Sequence, residues 1–256
     1  MAYGGTEQGL RHQGGEEMRS ATLYVIGVGP GDPELMTIKG MRILDGISCI
    51  CVPKGSEEGS SLALSIVKGI INIDNKEVIE AYFPMRKTRN SDPGRKLDPK
   101  WDETVRTISA RLSQGTDVAF ITLGDPAIYS TFFYLHERLL ESNPGLRVEI
   151  VPGVSSVNAS AARAGISLGL ADEKIALLPA TYVTDLREIF ETFDTIVLMK
   201  VHKVFDKVLE ILDELHLIGN AVYISRAGME DEKITREITT LKEQDLNYFS
   251  MVIVRK

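Results

Sequence analysis

Residues that form disulfide frameworks and metal sites are scarce, since the 256-residue chain contains two cysteines and four histidines. Cys49 and Cys51 are separated by one residue in the strand-like stretch "SCICVP", so their side chains point to the same side of the strand. This placement predicts packing in the core. The histidines are scattered along the chain and form no ligand spacing; they are His12, His136, His202 and His216. The sequence therefore predicts no metal site.

The chain also lacks a long apolar run and an excess of basic residues. No apolar stretch approaches the roughly 20 residues that span a membrane. The net charge of −7 argues against a general nucleic-acid binder. The opening, "MAYGGTEQGLRHQGGEE", is polar and glycine-rich and contains no apolar signal segment. We interpret residues 1–19 as a disordered tail, and we expect a cytoplasmic protein that binds neither nucleic acid nor membrane.

A glycine-rich turn follows the first apolar strand, in "LYVIGVGPGDPELM" at residues 23–36. A dinucleotide-binding turn has the pattern G-x-G-x-x-G, whose third glycine lets helix and strand pack closely. Gly27 and Gly29 fit this pattern, but Asp32 stands at the position of the third glycine. Asp32 and Pro33 instead predict a helix start, where a carboxylate would repel a coenzyme phosphate. The turn therefore argues against a nicotinamide cofactor.

Apolar, β-rich runs alternate with segments of helical period along most of the chain. The runs include "TLYVIGV", "DVAFITL", "LRVEIV", "DTIVLMKV" and "NAVYISRA". Helices are predicted around 35–45, 60–70, 101–114, 130–141, 154–164, 183–192 and 203–215. This alternation predicts an α/β fold with mostly parallel strands, and the strand-rich final third predicts a mixed sheet in the second half. Because "ESNPGLRV" is rich in turn residues, we place an N-terminal α/β domain at 20–143 and a C-terminal α/β domain at 144–256.

The tripeptide Gly-Asp-Pro occurs twice, each time at the carboxyl end of a predicted strand. In "ITLGDPAIYST" the strand ends at Gly124, and Asp125 with Pro126 predicts the start of the next helix. Ligands of open α/β sheets gather at these strand ends. Asp125 therefore either caps its helix or accepts hydrogen bonds from a ligand, and the tripeptide alone leaves both interpretations open.

Hydroxyl-bearing and small side chains follow a third strand end, in "VEIVPGVSSVNASAARAGISL". Small residues allow close backbone approach, and the hydroxyls of Ser155, Ser156 and Ser160 can bond polar atoms of a ligand. The stretch is equally typical of tight helix packing and of a binding surface.

One segment is basic in an otherwise acidic protein. In "MRKTRNSDPGRKLDPK" six basic residues stand against two aspartates, Asp92 and Asp98. Such a charge run is typical of a solvated loop, but a basic loop after a strand can also face an anionic ligand.

Four stretches together resemble the tetrapyrrole methylases, the S-adenosylmethionine-dependent enzymes of corrin and sirohaem synthesis. They are "LYVIGVGPGDPELMTIKG", "FITLGDPAIYSTFFYLHERL", "VPGVSSVNASAARAGISL" and the ending "SRAGMEDEKI…YFSMVIV". Within the family, "AYFPM", "GDPAIYST" and "LLPATY" are most similar to the branch that methylates C-20 of precorrin-2 or cobalt-factor II in cobalamin biosynthesis. The resemblance implies two α/β domains with a ligand trough between them, and a homodimer. It also implies S-adenosyl-L-methionine as the methyl donor, which leaves as S-adenosyl-L-homocysteine.

The resemblance further implies which residues bind the methyl donor. The glycine-rich turn would shape the trough rather than bind phosphate, and Pro30 would lie against the donor. Met199 and Lys200 stand where relatives often carry Tyr-Met. Because the side chains differ, the resemblance implies only backbone contacts with the donor at these two positions. The expected donor-binding residues are Pro30, Gly124, Asp125, Ile128, Thr131, Ser155, Ser156, Met199, Lys200, Ala227 and Ser250.

The expected reaction requires little chemical participation by side chains, so no catalytic residue is assigned. The sulfonium methyl is already electrophilic, so holding donor and acceptor in line at about 3–3.5 Å supplies much of the acceleration. Asp32, Tyr24 and Tyr82 are the candidates for the base that removes the proton from the methylated carbon. Because a uroporphyrinoid carries eight carboxylates, basic side chains are expected around it. The expected substrate-binding residues are Asp32, Tyr82, Arg86, Lys87 and Arg89.

Competing interpretations come from the same fold and from other classes of protein. Another tetrapyrrole methylase, or a diphthine synthase-like methyltransferase, would share the fold. A non-catalytic tetrapyrrole carrier is disfavoured by an intact donor site, and a nicotinamide oxidoreductase by Asp32 and Lys54. Binding of S-adenosylhomocysteine without binding of NAD would exclude the oxidoreductase.

Overall fold

The computed structural model describes residues 20–55, 58–83, 99–182 and 185–256. The predicted tail at 1–19 lies outside these ranges, as do Arg86, Lys87 and Arg89 of the basic segment. In the described ranges, no helix is both long enough and apolar enough to cross a membrane.

The first half of the chain forms a parallel five-stranded sheet with the order β3-β2-β4-β1-β5. Its strands are β1 Thr22–Gly27, β2 Cys49–Lys54, β3 Glu77–Tyr82, β4 Val118–Thr122 and β5 Arg147–Val151. The helices between them are α1 Ile38–Gly46, α2 Leu62–Lys68, α3 Pro99–Ser113 and α4 Phe132–Ser142. Every residue of the central strand β4 is buried, as its uninterrupted apolar run predicts.

Both faces of this sheet are covered by helices. Leu23 and Val25 of β1 pack in the same core as residues of α3 and α4. The alternate residue Ile26 packs on the other face with residues of α1 and α2. Cys49 and Cys51 lie buried in the first of these cores, which confirms the prediction for the two cysteines.

The second half forms a mixed five-stranded sheet with the order β6-β7-β10-β8-β9. Its strands are β6 Ile175–Pro179, β7 Thr195–Met199, β8 Ala221–Ser225, β9 Lys233–Thr235 and β10 Ser250–Arg255. Strand β10 runs antiparallel to both β7 and β8, whereas β6 is parallel to β7. Helix α5 Ser156–Ala164 packs on one face, and α6 Leu186–Thr192 and α7 Phe205–Glu214 on the other. The predicted α/β class and the mixed second sheet are confirmed.

Strand β5 follows the predicted boundary at residues 143 and 144, and it pairs with β1 in the first sheet. By strand pairing alone, the chain passes from the first sheet to the second between Val151 and Ile175. The division into domains at 143 and 144 stays a prediction.

The two Asp-Pro sequences open different local structures. Asp32 caps a three-residue 3-10 helix, Pro33–Leu35, and its carboxylate accepts a hydrogen bond from the backbone N–H of Glu34 at 2.9 Å. The prediction that Asp125 and Pro126 start a helix is wrong, because a turn occupies 126–129 and α4 begins only at Phe132. An N-cap residue and a turn residue use the same short-range hydrogen bond, so sequence does not separate them here.

Candidate functional site

An open cavity of about 520 Å³ lies at the carboxyl ends of the first sheet's strands and is lined on the other side by residues of the second sheet. Its first-sheet wall comes from the residues that end β2 and β4 and from the start of α5. Its second-sheet wall comes from the ends of β7 and β8 and from the segment that enters β10. Every residue that the resemblance assigns to the methyl donor lines this cavity: Pro30, Gly124, Asp125, Ile128, Thr131, Ser155, Ser156, Met199, Lys200, Ala227 and Ser250.

Three glycines bring the strand ends of the first sheet into contact beneath the cavity. A Cβ atom added to Gly27 would lie 2.6 Å from the carbonyl oxygen of Gly124. A Cβ atom added to Gly153 would lie 2.4 Å from the same oxygen. Side chains do not approach a backbone atom this closely, so the contact requires glycine at both positions. Of these three glycines, Gly124 lines the cavity, and the other two fix its position from behind.

The glycine-rich turn after β1 joins the two halves of the molecule. Gly29 and Gly124 exchange backbone hydrogen bonds, with N–O distances of 3.3 Å and 2.7 Å. Gly31 lies against the loop after β8, since a Cβ atom there would be 2.6 Å from Cγ of Met229 and 2.9 Å from the carbonyl carbon of Gly228. Pro30, between the two glycines, is therefore held at the cavity wall by contacts on both sides.

Asp125 links two of the loops that form the cavity. One carboxylate oxygen accepts a hydrogen bond from the N–H of Ala127 at 2.7 Å, and the other accepts one from the N–H of Gly153 at 2.9 Å. A carboxylate has about four acceptor positions, so each oxygen retains capacity for a ligand. Asp125 therefore forms both a local hydrogen bond within its turn and a hydrogen bond to a distant loop. Its remaining acceptor positions are free for a ligand.

Tyr129 spans the cavity from the first half of the molecule to the second. Its backbone has a φ of 53°, in the left-handed region, and its hydroxyl donates to the carbonyl of Leu177 in β6 at 3.1 Å. Partial burial raises the pKa of Tyr129 above its ordinary value, so the hydroxyl stays protonated at neutral pH. Tyr129 was not predicted as a site residue, because its partner carbonyl is distant in sequence.

Hydroxyl groups follow the third strand end as the sequence indicates. Ser155 caps α5 and accepts a hydrogen bond from the N–H of Asn158 at 3.1 Å. The hydroxyl of Ser160 is buried, lines the cavity and has no hydrogen-bond partner among the described residues. Ser160 is fully buried, so its hydroxyl is an unsatisfied polar atom just behind the cavity surface.

Cationic side chains also line the cavity, and two of them were not predicted as site residues. Lys54 at the end of β2 pairs with Glu80 at 3.0 Å, and Arg226 after β8 pairs with Asp231. Lys200 has its ammonium 5.4 Å from the ring centroid of Tyr248. A single basic residue at a strand end carries little information in sequence, which is why Lys54 and Arg226 gave no site prediction.

Three residues proposed as bases or substrate contacts, Asp32, Tyr82 and Tyr24, do not line the cavity. Asp32 lies beside Gly228, and Tyr82 is at the end of β3 with the ammonium of Lys100 4.7 Å from its ring centroid. Tyr24 faces a shallow depression at the opposite end of the strands, together with Arg42. The structure brings the donor-binding candidates together and leaves these three outside their cluster.

Comparison with known proteins identifies the family. Residues 22–244 match the family described as Tetrapyrrole (Corrin/Porphyrin) Methylases. The chain is 34% identical over 236 residues to cobalt-precorrin-2 C(20)-methyltransferase of Salmonella typhimurium, covering 91% of this chain and 96% of that protein. It is 35% identical over 237 residues, with the same coverage, to a probable cobalt-precorrin-2 C(20)-methyltransferase of Methanocaldococcus jannaschii.

The fold is similar to that of solved methyltransferases. The X-ray structure of a cobalt precorrin-4 methyltransferase of cobalamin biosynthesis superposes with a TM-score of 0.71 at 24% identity, covering 91% of this chain and 94% of that one. At this identity the superposition supports the fold alone. From the family match and from the two relatives that align with nearly their whole length, we conclude that this chain belongs to the tetrapyrrole methylases.

Proposed function

We propose that the protein transfers the methyl group of S-adenosylmethionine to C-20 of a precorrin-2-type tetrapyrrole in cobalamin biosynthesis. The observation that carries this proposal is the alignment of 91% of the chain with two proteins named for this reaction, at 34% and 35% identity. Both names specify the cobalt-containing substrate, which supports that form over the metal-free one.

The described residues fit a methyl donor. A volume of about 520 Å³ is in the range of cavities that hold small-molecule ligands. The free acceptor positions of Asp125 would bond polar groups of the donor. Gly124, with a φ of 72°, exposes backbone where a side chain would otherwise stand.

The donor supplies an electrophilic methyl group, and the protein's part is to bind and orient the two reactants. Because the loops of the cavity are tied by Gly29, Gly124 and Asp125, the groups facing the ligands are held in fixed positions. Fixed positions convert a bimolecular step into an effectively unimolecular one. Tyr129 is protonated at neutral pH and therefore does not serve as a base there.

Methyl transfer from donor labelled with ¹³C at the methyl group tests the proposed activity. The enzyme is incubated with cobalt-precorrin-2 and, in parallel, with metal-free precorrin-2, and the labelled carbon is located by NMR. We expect the label at C-20 and faster turnover of the cobalt form. A label on another ring carbon would instead indicate a different corrin methylase. Mixtures containing only S-adenosylhomocysteine are the control, and absence of transfer to either substrate would contradict the proposal.

Binding of the substrate carboxylates is the second part of the proposal. We propose that Arg86, Lys87 and Arg89 contribute to it, because the segment that follows β3 is the most basic stretch of an acidic chain. Asp32 and Tyr82 remain proposed substrate contacts, tested by the KM of the tetrapyrrole in the variants Asp32→Asn and Tyr82→Phe.

We also propose that the protein forms a homodimer through the edge of the first sheet. Strand β5 is the outer strand there, and Ile150 on it is 42% exposed. On the adjacent helix α1, Ile38 is 78% exposed and Met41 is 41% exposed. An ion pair between Lys39 and Glu149, 2.7 Å long, holds α1 beside β5. Glu149 and Ile150 point to opposite faces of the sheet, so the exposed apolar side chains flank this edge on both faces.

Light scattering after gel filtration measures the oligomeric state. We expect a dimer for the wild type and a monomer for Ile150→Lys. The control is Ile175→Lys, at a residue 47% exposed on the edge strand of the second sheet. A monomeric wild type would contradict the proposal. The cytoplasmic location predicted from the sequence is likewise a proposal, and fractionation of producing cells tests it.

A further inference from the structure

We propose that the ammonium group of Lys200 binds a carboxylate side chain of the tetrapyrrole substrate and thereby contributes to substrate specificity. This inference rests on the proposed function, because it takes an anionic tetrapyrrole as the second ligand of the cavity. It assigns the side chain of Lys200, whereas the family resemblance carried over only backbone contacts with the donor at this position.

The backbone fixes the position of Lys200 at the cavity wall. The residue follows the last residue of β7 and adopts left-handed dihedral angles, φ 58° and ψ 42°. Its N–H donates to the carbonyl of Ser250, the first residue of β10, at 2.8 Å. A non-glycine residue in this conformation persists where the surroundings hold it, and here the neighbouring strand does so. The start of the side chain is therefore not free to leave the cavity edge.

The end of the Lys200 side chain lies near the aromatic ring of Tyr248. The Nζ atom of Lys200 lies 5.4 Å from the centroid of that ring, and both residues line the cavity. An ammonium group at such a distance is weakly attracted to an aromatic ring. Tyr248 is in turn packed edge-on against Phe249, with ring centroids 5.1 Å apart. The ammonium thus lies beside an aromatic pair at the cavity wall.

The charges on the wall distinguish Lys200 from the other cations. Lys54 and Arg226 each form an ion pair with a carboxylate outside the lining, Glu80 and Asp231 respectively. In the part of the chain that the structure describes, no carboxylate lies within ion-pair distance of the ammonium of Lys200.

Among the described residues, the cavity wall carries one acidic side chain against three cationic ones. The acidic residue is Asp125, and its two oxygens accept backbone hydrogen bonds from Ala127 and Gly153 rather than an ion pair from Lys200. A half-buried ammonium without a counter-ion favours an anionic ligand beside it.

Both expected ligands carry carboxylates, and the substrate is the better match. The donor carries one carboxylate next to its own ammonium group, so its amino-acid end is close to neutral. A uroporphyrinoid carries eight carboxylates around a ring, so a carboxylate can meet a cation on the wall in many orientations of the ring. We therefore assign Lys200 to the substrate, and an effect on the donor alone would overturn this assignment.

Three variants test the role of Lys200. Lys200→Gln removes the charge, and Lys200→Arg keeps it. Lys203→Gln is the matched control, because Lys203 is exposed, lies nearby in the chain and does not line the cavity. If Lys200→Gln does not fold, Lys200→Asn replaces it, because asparagine tolerates the left-handed conformation.

Two binding measurements and one kinetic measurement are made on each variant. Uroporphyrin III, an octacarboxylate, is titrated by its own fluorescence, and S-adenosylhomocysteine is titrated by calorimetry. The KM for the tetrapyrrole substrate is then determined at low and high salt. The uroporphyrin titration does not depend on turnover, so it tests Lys200 even if the wild type proves to methylate another carbon or none.

We expect Lys200→Gln to weaken uroporphyrin binding and to raise the substrate KM by about fivefold, the factor that a charge contact of about 1 kcal/mol gives. Lys200→Arg should recover most of this loss, and added salt should weaken binding less in Lys200→Gln than in the wild type. Affinity for S-adenosylhomocysteine should stay within about twofold of wild type. Unchanged uroporphyrin affinity, or a loss equal to that of Lys203→Gln, would overturn the proposal.

Discussion

At the scale of single residues, one side chain can connect separate loops of the cavity, as Asp125 does. Its carboxylate joins the turn after β4 to Gly153, two segments that are far apart in sequence. Asp125 also lines the cavity, and its carboxylate has further acceptor positions. Removing the carboxylate therefore affects the geometry of the loops as well as any bond to the donor.

We predict that Asp125→Ala weakens binding of S-adenosylhomocysteine by about 1.5–3 kcal/mol, the range for hydrogen bonds to a charged group. Calorimetry measures the affinity, and circular dichroism verifies that the variant is folded. Asp125→Asn is the control: its amide oxygen can still accept from Ala127, but its NH₂ group cannot accept from Gly153. We expect an intermediate loss for this variant. A folded Asp125→Ala protein with wild-type affinity would show that the carboxylate is a structural cap only.

The two cysteines give a residue-scale prediction about pH. Burial raises the pKa of Cys49 to about 11 and raises that of Cys51 as well. At about pH 8 only on the order of one Cys49 thiol in a thousand is then ionised, and the thiolate is the reactive form. We predict that both thiols react with a thiol reagent far more slowly in the folded protein than in denaturant.

The raised pKa also has a consequence for stability. A thiol that binds its proton more tightly when folded stabilises the folded state below its unfolded pKa, and this contribution is lost as the pH rises through about 11. Denaturant unfolding should therefore show a free energy of unfolding that falls between about pH 8 and pH 11, and Cys49→Ala should reduce the slope of this fall.

For the reactivity prediction, thiol labelling of the native protein as fast as that of the unfolded protein would contradict the burial of these thiols.

At the scale of elements, the ends of three strands of the first sheet are in close backbone contact. Gly27, Gly124 and Gly153 end or follow β1, β4 and β5, and their backbones are in direct contact. The contact places the loops of the cavity at a separation that no side chain permits. It also sets the N–H of Gly153 within reach of Asp125.

We predict that Gly153→Ala lowers the free energy of unfolding by about 1–3 kcal/mol, the usual cost of forcing an extra methyl group into a packed region. The added methyl would meet the Gly124 carbonyl at 2.4 Å, so one of the two loops must move. Donor affinity should fall with it, because the same loops carry Asp125. Gly145→Ala is the matched control, since nothing lies within 4 Å of a Cβ atom there. Equal stability of the two variants in urea unfolding would contradict the close contact.

At the scale of the whole molecule, the charge of the protein opposes its proposed substrate. The chain carries a net charge of −7, and the proposed substrate is itself polyanionic. Local positive charge must therefore attract it, and the cavity wall offers Lys200 together with the paired Lys54 and Arg226. The basic segment is the other region of the chain with a surplus of positive charge.

We predict that replacing Arg86, Lys87 and Arg89 together by Gln raises the KM for the tetrapyrrole about tenfold, because three exposed contacts of a few tenths to 1 kcal/mol suffice for this factor. Affinity for S-adenosylhomocysteine should barely change, since the donor carries little net charge. Steady-state kinetics at two salt concentrations make the measurement, and the salt dependence should be weaker in the variant.

A second triple variant separates local from overall charge. Replacing Lys68, Lys203 and Lys207 by Gln changes the net charge by the same amount, and these exposed residues do not line the cavity. We expect a wild-type KM for this control. An equal rise of KM in both triple variants would mean that overall charge, and not the basic segment, governs substrate binding.

The sequence by itself determined the class of the fold and the positions of most elements. Apolar runs and helical periods are local properties, so β4 and α3 could be predicted from a few residues each. The ordered motifs were also sufficient to identify the family, and with it the residues that line one cavity. The local signal failed at Asp125 and Pro126, where a turn and a helix start use the same residue types.

Only the tertiary structure decided which groups meet. The contact of Gly27 with Gly124 and Gly153, and the bond from Tyr129 to the carbonyl of Leu177, join residues far apart in sequence. Such contacts depend on the order of strands in the sheets, which no local pattern encodes. The same holds for the side chain of Lys200, because the sequence resemblance carried over only backbone contacts with the donor at this position. It becomes the cation available to a ligand because strand β10 fixes its backbone and the other cations of the wall have carboxylate partners.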